Sequence, residues 1–192
     1  MKTNILFIVE PQNDFLTGTT VVDGSIEAIK NLIDRVDNDD TKFLKTYQKV
    51  IVLLDWHPFN HISFKDKPRH CVEHSNGAAL PNKLVETLSK FDERRPLCEL
   101  SYLKKGYQSQ NNPKTVFNET FEGSLLIKEL SLLARHGGIG KISVCGININ
   151  DFIEHLIERG YTNNIEILTD CIAPTDDKSL KKLINTFKLN TI

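Results

Sequence analysis

The sequence predicts a single three-layer α/β domain, built on a doubly wound, mostly parallel sheet with helices on both faces. Three observations lead there. Short apolar runs alternate with amphipathic stretches along the 192 residues, the pattern of strands that are buried on both sides. The runs are brief and rich in branched side chains, whereas the stretches between them place apolar residues at helical spacing. No repeat, low-complexity linker or break in composition divides residues 1–192, and a chain of this length can bury a substantial core by itself.

The elements follow in order. Ile5–Val9 reads as a buried first strand; Glu10 ends it too soon for a signal peptide, and no small-residue cleavage site follows. Ser25–Val36 is a helix, Lys49–Leu54 a second strand, Leu84–Leu88 a helix, and Glu99–Leu103 a weaker strand. In the helix Ser124–Arg135, Leu125, Leu126, Leu130 and Leu133 are expected on one face, opposite Lys128, Glu129 and Arg135. Gly137-Gly138 supplies its stop. Strand Lys141–Cys145, helix Asn150–Arg159 closed by Gly160, strand Ile165–Leu168 and helix Lys178–Phe187 complete the alternation, the last with a solvated lysine face. Ligands of such sheets gather beyond the carboxyl ends of the strands, at or just past which Glu10, Asp55 and Cys145 are expected to fall.

Composition excludes several classes of function. With 24 Lys+Arg against 25 Asp+Glu there is no basic excess, which argues against nucleic acid or an anionic membrane as the main partner. No apolar run is long enough to span a bilayer. The four cysteines Cys71, Cys98, Cys145 and Cys171 have no paired spacing, which favours reduced core thiols in a cytoplasmic protein.

Chemistry concentrates in Asp55-Trp56-His57-Pro58-Phe59-Asn60-His61 and Pro68-Arg69-His70-Cys71-Val72. One aspartate and two or three histidines at a strand end suit a divalent transition metal such as zinc, iron or manganese, with positions left open for water or substrate. The alternation of Asp55 and His57 points both side chains the same way along an extended segment. The competing reading is that these histidines only cap and hydrogen-bond their loop.

These segments, together with Val9-Glu10-Pro11-Gln12-Asn13-Asp14-Phe15, Lys105-Gly106 and Val144-Cys145-Gly146-Ile147-Asn148-Ile149-Asn150-Asp151-Phe152-Ile153, resemble the nicotinamidase/pyrazinamidase branch of the isochorismatase-like cysteine hydrolases. The resemblance spans nearly the whole chain, to Leu168-Thr169-Asp170-Cys171. It implies that Asp55, His57 and His70 are metal ligands, zinc foremost, with His61 a neighbour or fourth partner. It implies a catalytic set in which Lys105 is retained, or its neighbour Lys104, while the aspartate of the family pattern reads Glu10. The nucleophilic cysteine of that pattern reads Phe152, and a phenyl ring cannot attack a carbonyl. Cys145 and Cys171 match family segments without catalytic duty. Phe15, Lys67, Ile147 and Asn148 would line the substrate pocket. Lys67 stands where an aromatic wall is frequent, a stacking surface worth about 0.5–1.5 kcal/mol. Backbone amides near Asn148 and Phe152 would form the oxyanion hole, and the Phe152 ring would project toward the substrate carboxamide; the competing reading makes Phe152 a core residue on the inner face of its helix, with Leu156 near. The resemblance thus implies a nicotinamidase-like protein that has lost cysteine-dependent amide hydrolysis, self-associating or pairing with an active paralogue. Its alternative is a working hydrolase that uses Glu10 or a metal on a small nicotinamide-like or isochorismate-like substrate.

Overall fold

The computed structural model describes residues 2–38, 42–94, 96–118, 120–174 and 176–192. Six strands form one sheet: β1 (Thr3–Val9), β2 (Lys49–Asp55), β3 (Glu99–Lys105), β4 (Ile139–Ile147), β5 (Ile165–Ala173) and β6 (Asn190–Thr191). Their spatial order is β3-β2-β1-β4-β5-β6, and every pairing is parallel. The chain therefore steps outward from β1 to β3, then returns to lay β4 on the other side of β1. That reversal opens a crevice beyond the carboxyl ends of β1 and β4.

The helices are α1 (Asn13–Leu16), α2 (Ser25–Asn38), α3 (Lys42–Thr46), α4 (Asn82–Asp92), α5 (Phe121–Arg135), α6 (Asn150–Glu158) and α7 (Asp177–Phe187). Strand alternation divides the core between the two faces of the sheet. Leu6 and Ile8 of β1, with Val50, Val52 and Leu54 of β2, pack under Ala28, Ile29 and Leu32 of α2 and Leu84 and Leu88 of α4. Ile5, Phe7 and Val9, with Ile51 and Leu53, pack under Leu126 and Leu130 of α5, Phe152, Ile153 and Leu156 of α6, and Leu180 of α7. Both faces are covered, which is why the strands read as continuous apolar runs.

All predicted elements form, several of them longer than expected. The sheet is parallel throughout rather than mostly so. Cys145 lies within β4, wholly buried, and not at its end; the strand runs on to Ile147. In α5 Leu126 and Leu130 are buried, but Leu125 is 46% exposed, so it belongs to the outer face. Short α1 and α3 and the two-residue β6 were not anticipated, since four or five residues carry no readable period. The four cysteines are buried and unpaired. Among the described residues no helix is long and apolar enough to cross a membrane.

Candidate active site

The carboxyl ends of β1, β2, β3 and β4 bring the site together. Glu10 directly follows β1, Asp55 ends β2, Lys105 ends β3, and Asn148 follows β4. Glu10 (φ 49°) and Asn148 (φ 53°) both hold left-handed backbone conformations that non-glycine residues rarely adopt. Their side chains meet, Asn148 Nδ2 donating to Glu10 Oε2 at 2.8 Å. The Lys105 ammonium lies 2.9 Å from Glu10 Oε1 and 2.5 Å from Asp55 Oδ1, bridging the two buried carboxylates. Lys104 turns to the opposite side, its ammonium 3.5 Å from the centre of the Trp56 ring, so Lys105 is the lysine of the site.

This packing sets the charges. Burial and then the neighbouring Asp55 push the Glu10 carboxyl up, against the pull of Lys105 and Asn148. Burial resists ionisation of Asp55 as well, but Lys105 holds that carboxyl well below the ordinary carboxylate range. Desolvation of Lys105 is outweighed by Asp55 and Glu10, which keep the ammonium protonated far above neutral pH.

Asp55, His57 and His70 are buried, and one donor atom from each lies within 4.8 Å of the others. His57 Nε2 is 3.5 Å and His70 Nε2 4.0 Å from Asp55 Oδ2. The remaining ring nitrogens settle the tautomers. His57 Nδ1 lies 3.0 Å from the Gly106 carbonyl and His70 Nδ1 2.8 Å from the Pro68 carbonyl. A carbonyl can only accept, so both Nδ1 atoms carry the proton and both Nε2 lone pairs turn toward Asp55. Burial also pulls the His70 pKa down, which favours the neutral, ligating imidazole. Two imidazole nitrogens and one carboxylate oxygen fit a zinc-like divalent ion and leave further positions open. His61 does not complete the set. Its Nε2 lies 2.7 Å from the Asn111 carbonyl and its Nδ1 2.7 Å from Ser63 Oγ, while its ring stacks on His57 with centroids 4.1 Å apart.

Gly106 lets His57 approach. With φ +78°, it presents its hydrogen to the imidazole, and a Cβ there would collide with the ring. Gly106→Ala is therefore expected to weaken zinc binding by about 10- to 100-fold, the usual loss when an orienting contact to a ligand is disturbed; calorimetric titration with zinc measures it.

Two supporting residues escaped sequence reasoning, although both lie in the quoted segment Gln12-Asn13-Asp14. Gln12, wholly buried, accepts from the Asp55 amide at 2.8 Å and donates to the Asp55 and Ala78 carbonyls at 2.6 and 3.0 Å, pinning the end of β2. Asp14 accepts from the Cys71 amide at 2.7 Å and the Thr19 amide at 3.0 Å, which fixes the loop behind His70.

A cavity of about 450 Å³ opens over these groups, lined by Glu10, Asp55, His57, His70, Lys105 and Asn148 among others. Phe15 and Lys67 also line it, whereas Ile147 is wholly buried in the core. The Phe152 ring does not project into it. It is 3% exposed and packs on Phe7 and Phe117, with centroids 4.8 and 5.5 Å apart. Helix α6 directs that side chain into the core, and only a recess of about 10 Å³ is left between it, Glu10 and Lys105. The expected oxyanion hole is also incomplete, because the Asn148 amide donates to the Ala173 carbonyl at 3.3 Å. Among the described residues no thiol lines the cavity. Cys71, though near the site, is fully buried, and burial followed by Asp55 and Glu10 pushes its pKa far up. Burial makes the Cys145 thiol equally inert.

No family model matches the chain. The nicotinamidase of Saccharomyces cerevisiae is 26% identical over 156 residues, covering 64% of this chain and 69% of the yeast protein. Among solved structures, the yeast nicotinamidase bound to the inhibitor nicotinaldehyde superposes with a TM-score of 0.72, at 20% identity, over 99% of both chains. The zinc complex of Pyrococcus horikoshii pyrazinamidase gives a TM-score of 0.68, at 20% identity, over 98% of both chains. Element order, sheet topology and these superpositions agree that the chain has the isochorismatase-like fold of the nicotinamidases.

Proposed function

We propose that this chain is a nicotinamidase-like protein of the isochorismatase-like hydrolases that binds a divalent metal, zinc first, through Asp55, His57 and His70 and has lost cysteine-dependent amide hydrolysis. The observation that carries the reading is Phe152, a core phenylalanine, at the place where the resembling pattern has its nucleophile. Glu10 in place of the aspartate and the engaged Asn148 amide support it. Nicotinamide, pyrazinamide and isochorismate turnover by the metal-loaded protein tests it; robust ammonia release from either amide would sink it. A cytoplasmic location, and pairing with itself or with an active paralogue, belong to the same reading. Sedimentation with and without such a paralogue checks the pairing, and a strict monomer in both runs counts against it.

The open cavity favours a second reading, an active hydrolase without a cysteine. A bound divalent ion supplies Lewis acidity toward a carbonyl or water oxygen. Glu10, its pKa raised and its two oxygens held by Lys105 and Asn148, can take a proton at Oε1 or Oε2. The cavity has Phe15 as an apolar wall but a cation, Lys67, where a second aromatic would stack, which suits a polar substrate better than a pyridine. Turnover of any such substrate that Glu10→Gln abolishes would establish this reading over the first.

A further inference from the structure

At the opposite end of the sheet lies a second cleft of about 540 Å³, beside the amino ends of β1 and β4. Lys2, Arg135 and Arg159 line it, with Ser131, Tyr161 and Asn164; among the described residues no carboxylate does. On a chain of net charge −1 this is a local concentration of positive charge.

Cations at this place could simply neutralise helix ends, because α5 and α6 both finish here. The backbone makes that duty largely redundant. After α5, the Gly137 amide donates to the Ala134 carbonyl at 3.0 Å and the Gly138 amide to the Leu133 carbonyl at 2.7 Å. After α6, the Gly160 amide donates to the Ile157 carbonyl at 2.9 Å and the Tyr161 amide to the Leu156 carbonyl at 3.0 Å. Left-handed Gly137 (φ 63°) and Gly160 (φ 84°) make both closures possible. The carbonyls of Leu133, Ala134, Leu156 and Ile157 are thus satisfied without side chains. Arg159 contacts His155 Nε2 at 2.8 Å, whereas Lys2 and Arg135 form no ion pair among the described residues.

We propose that this cleft is an oxyanion site that takes a small phosphorylated molecule, remote from the candidate active site. Arg135 would hold the phosphate by its paired N–H groups and Lys2 by point charge, the division of labour their geometries favour. Ser131 and Tyr161 offer hydroxyl donors, and Ala134 and Ile139 an apolar wall for the rest of the ligand. Because apolar Ala134 and Ile139 stand beside the cations, an organic phosphomonoester fits better than the free ion.

The test titrates glycerol 2-phosphate and inorganic phosphate into chelator-treated, metal-free protein at constant ionic strength, following melting temperature and amide shifts. The expected result is a saturable rise in melting temperature, with shifts clustered at residues 134–139 and 159–164. Lys2→Gln and Arg135→Gln should each weaken binding by about tenfold, the scale of one lost charge-assisted contact, while the anion-free melting temperature stays nearly unchanged. Three outcomes overturn the proposal: no saturation, shifts confined to Asp55, His57 and His70, or variants that bind as well as the wild type. A variant that is destabilised without anion but shifts by as many degrees with it would assign the cations to the helix ends instead.

Discussion

Lys105→Met is expected to destabilise the protein by about 3–5 kcal/mol, the cost of leaving buried charge without its partner. The ammonium bridges Glu10 and Asp55 inside a site where both carboxylates are about 5% exposed, and among the described residues no other lysine or arginine pairs with either of them. Chemical denaturation at pH 7 measures the loss. Its pH dependence identifies the cause. In the wild type Lys105 holds Asp55 below its ordinary pKa of about 3.9, so that stabilisation is complete above this value and fades as the pH falls through the depressed one. Without Lys105 both carboxyls would titrate above their unfolded values, and the folded state would gain stability on acidification. The difference between variant and wild type should therefore begin to narrow as the pH falls from neutrality through the variant's raised carboxyl pKa values, and narrow further below about pH 4 as the wild type loses its Asp55 stabilisation. Adding Glu10→Gln to Lys105→Met should recover part of the loss at pH 7. A gap that is constant with pH would mean that Lys105 acts by packing.

Phe152→Ala is expected to cost about 3–5 kcal/mol, as for other fully buried phenylalanines, because the ring fills the space between Phe7 and Phe117. Phe152→Cys should lose slightly less. Paired with Glu10→Asp, it should return a measurable, alkylation-sensitive release of ammonia from nicotinamide, by setting a thiol near Lys105. The release should remain weak, since the Asn148 amide is bonded to Ala173 and a hollow is left under α6. If the double variant folds and releases nothing, the loss lies in the pocket wall, with Lys67 the first residue to exchange.

Much of this was legible in the sequence because its signals are local. The alternation of branched runs and helical periods gave the layers. Asp55, His57 and His70 are the ligand set that the family resemblance implies, and the structure brings the three together. What could not be read depends on direction and on distant partners. Phe152 could be read either as a ring projecting toward the substrate or as a core residue on the inner face of its helix beside Leu156, and α6 turns that ring inward, as the second reading has it. His61 looked like a ligand by composition; only the Asn111 carbonyl, fifty residues away, reveals that its second nitrogen is taken. The amide of Asn148 was a candidate donor until the end of β5 came alongside it. Gln12 and Asp14 act through backbone groups of other segments, which no local pattern encodes.

The central claim is that catalysis by a cysteine has been lost while the metal site and cavity remain. Ammonia release from nicotinamide by zinc-loaded wild-type protein, before and after alkylation with iodoacetamide, tests it most directly. If cysteine catalysis is lost, alkylation abolishes no release and zinc stays bound by the treated protein. Robust release that disappears on alkylation would contradict it.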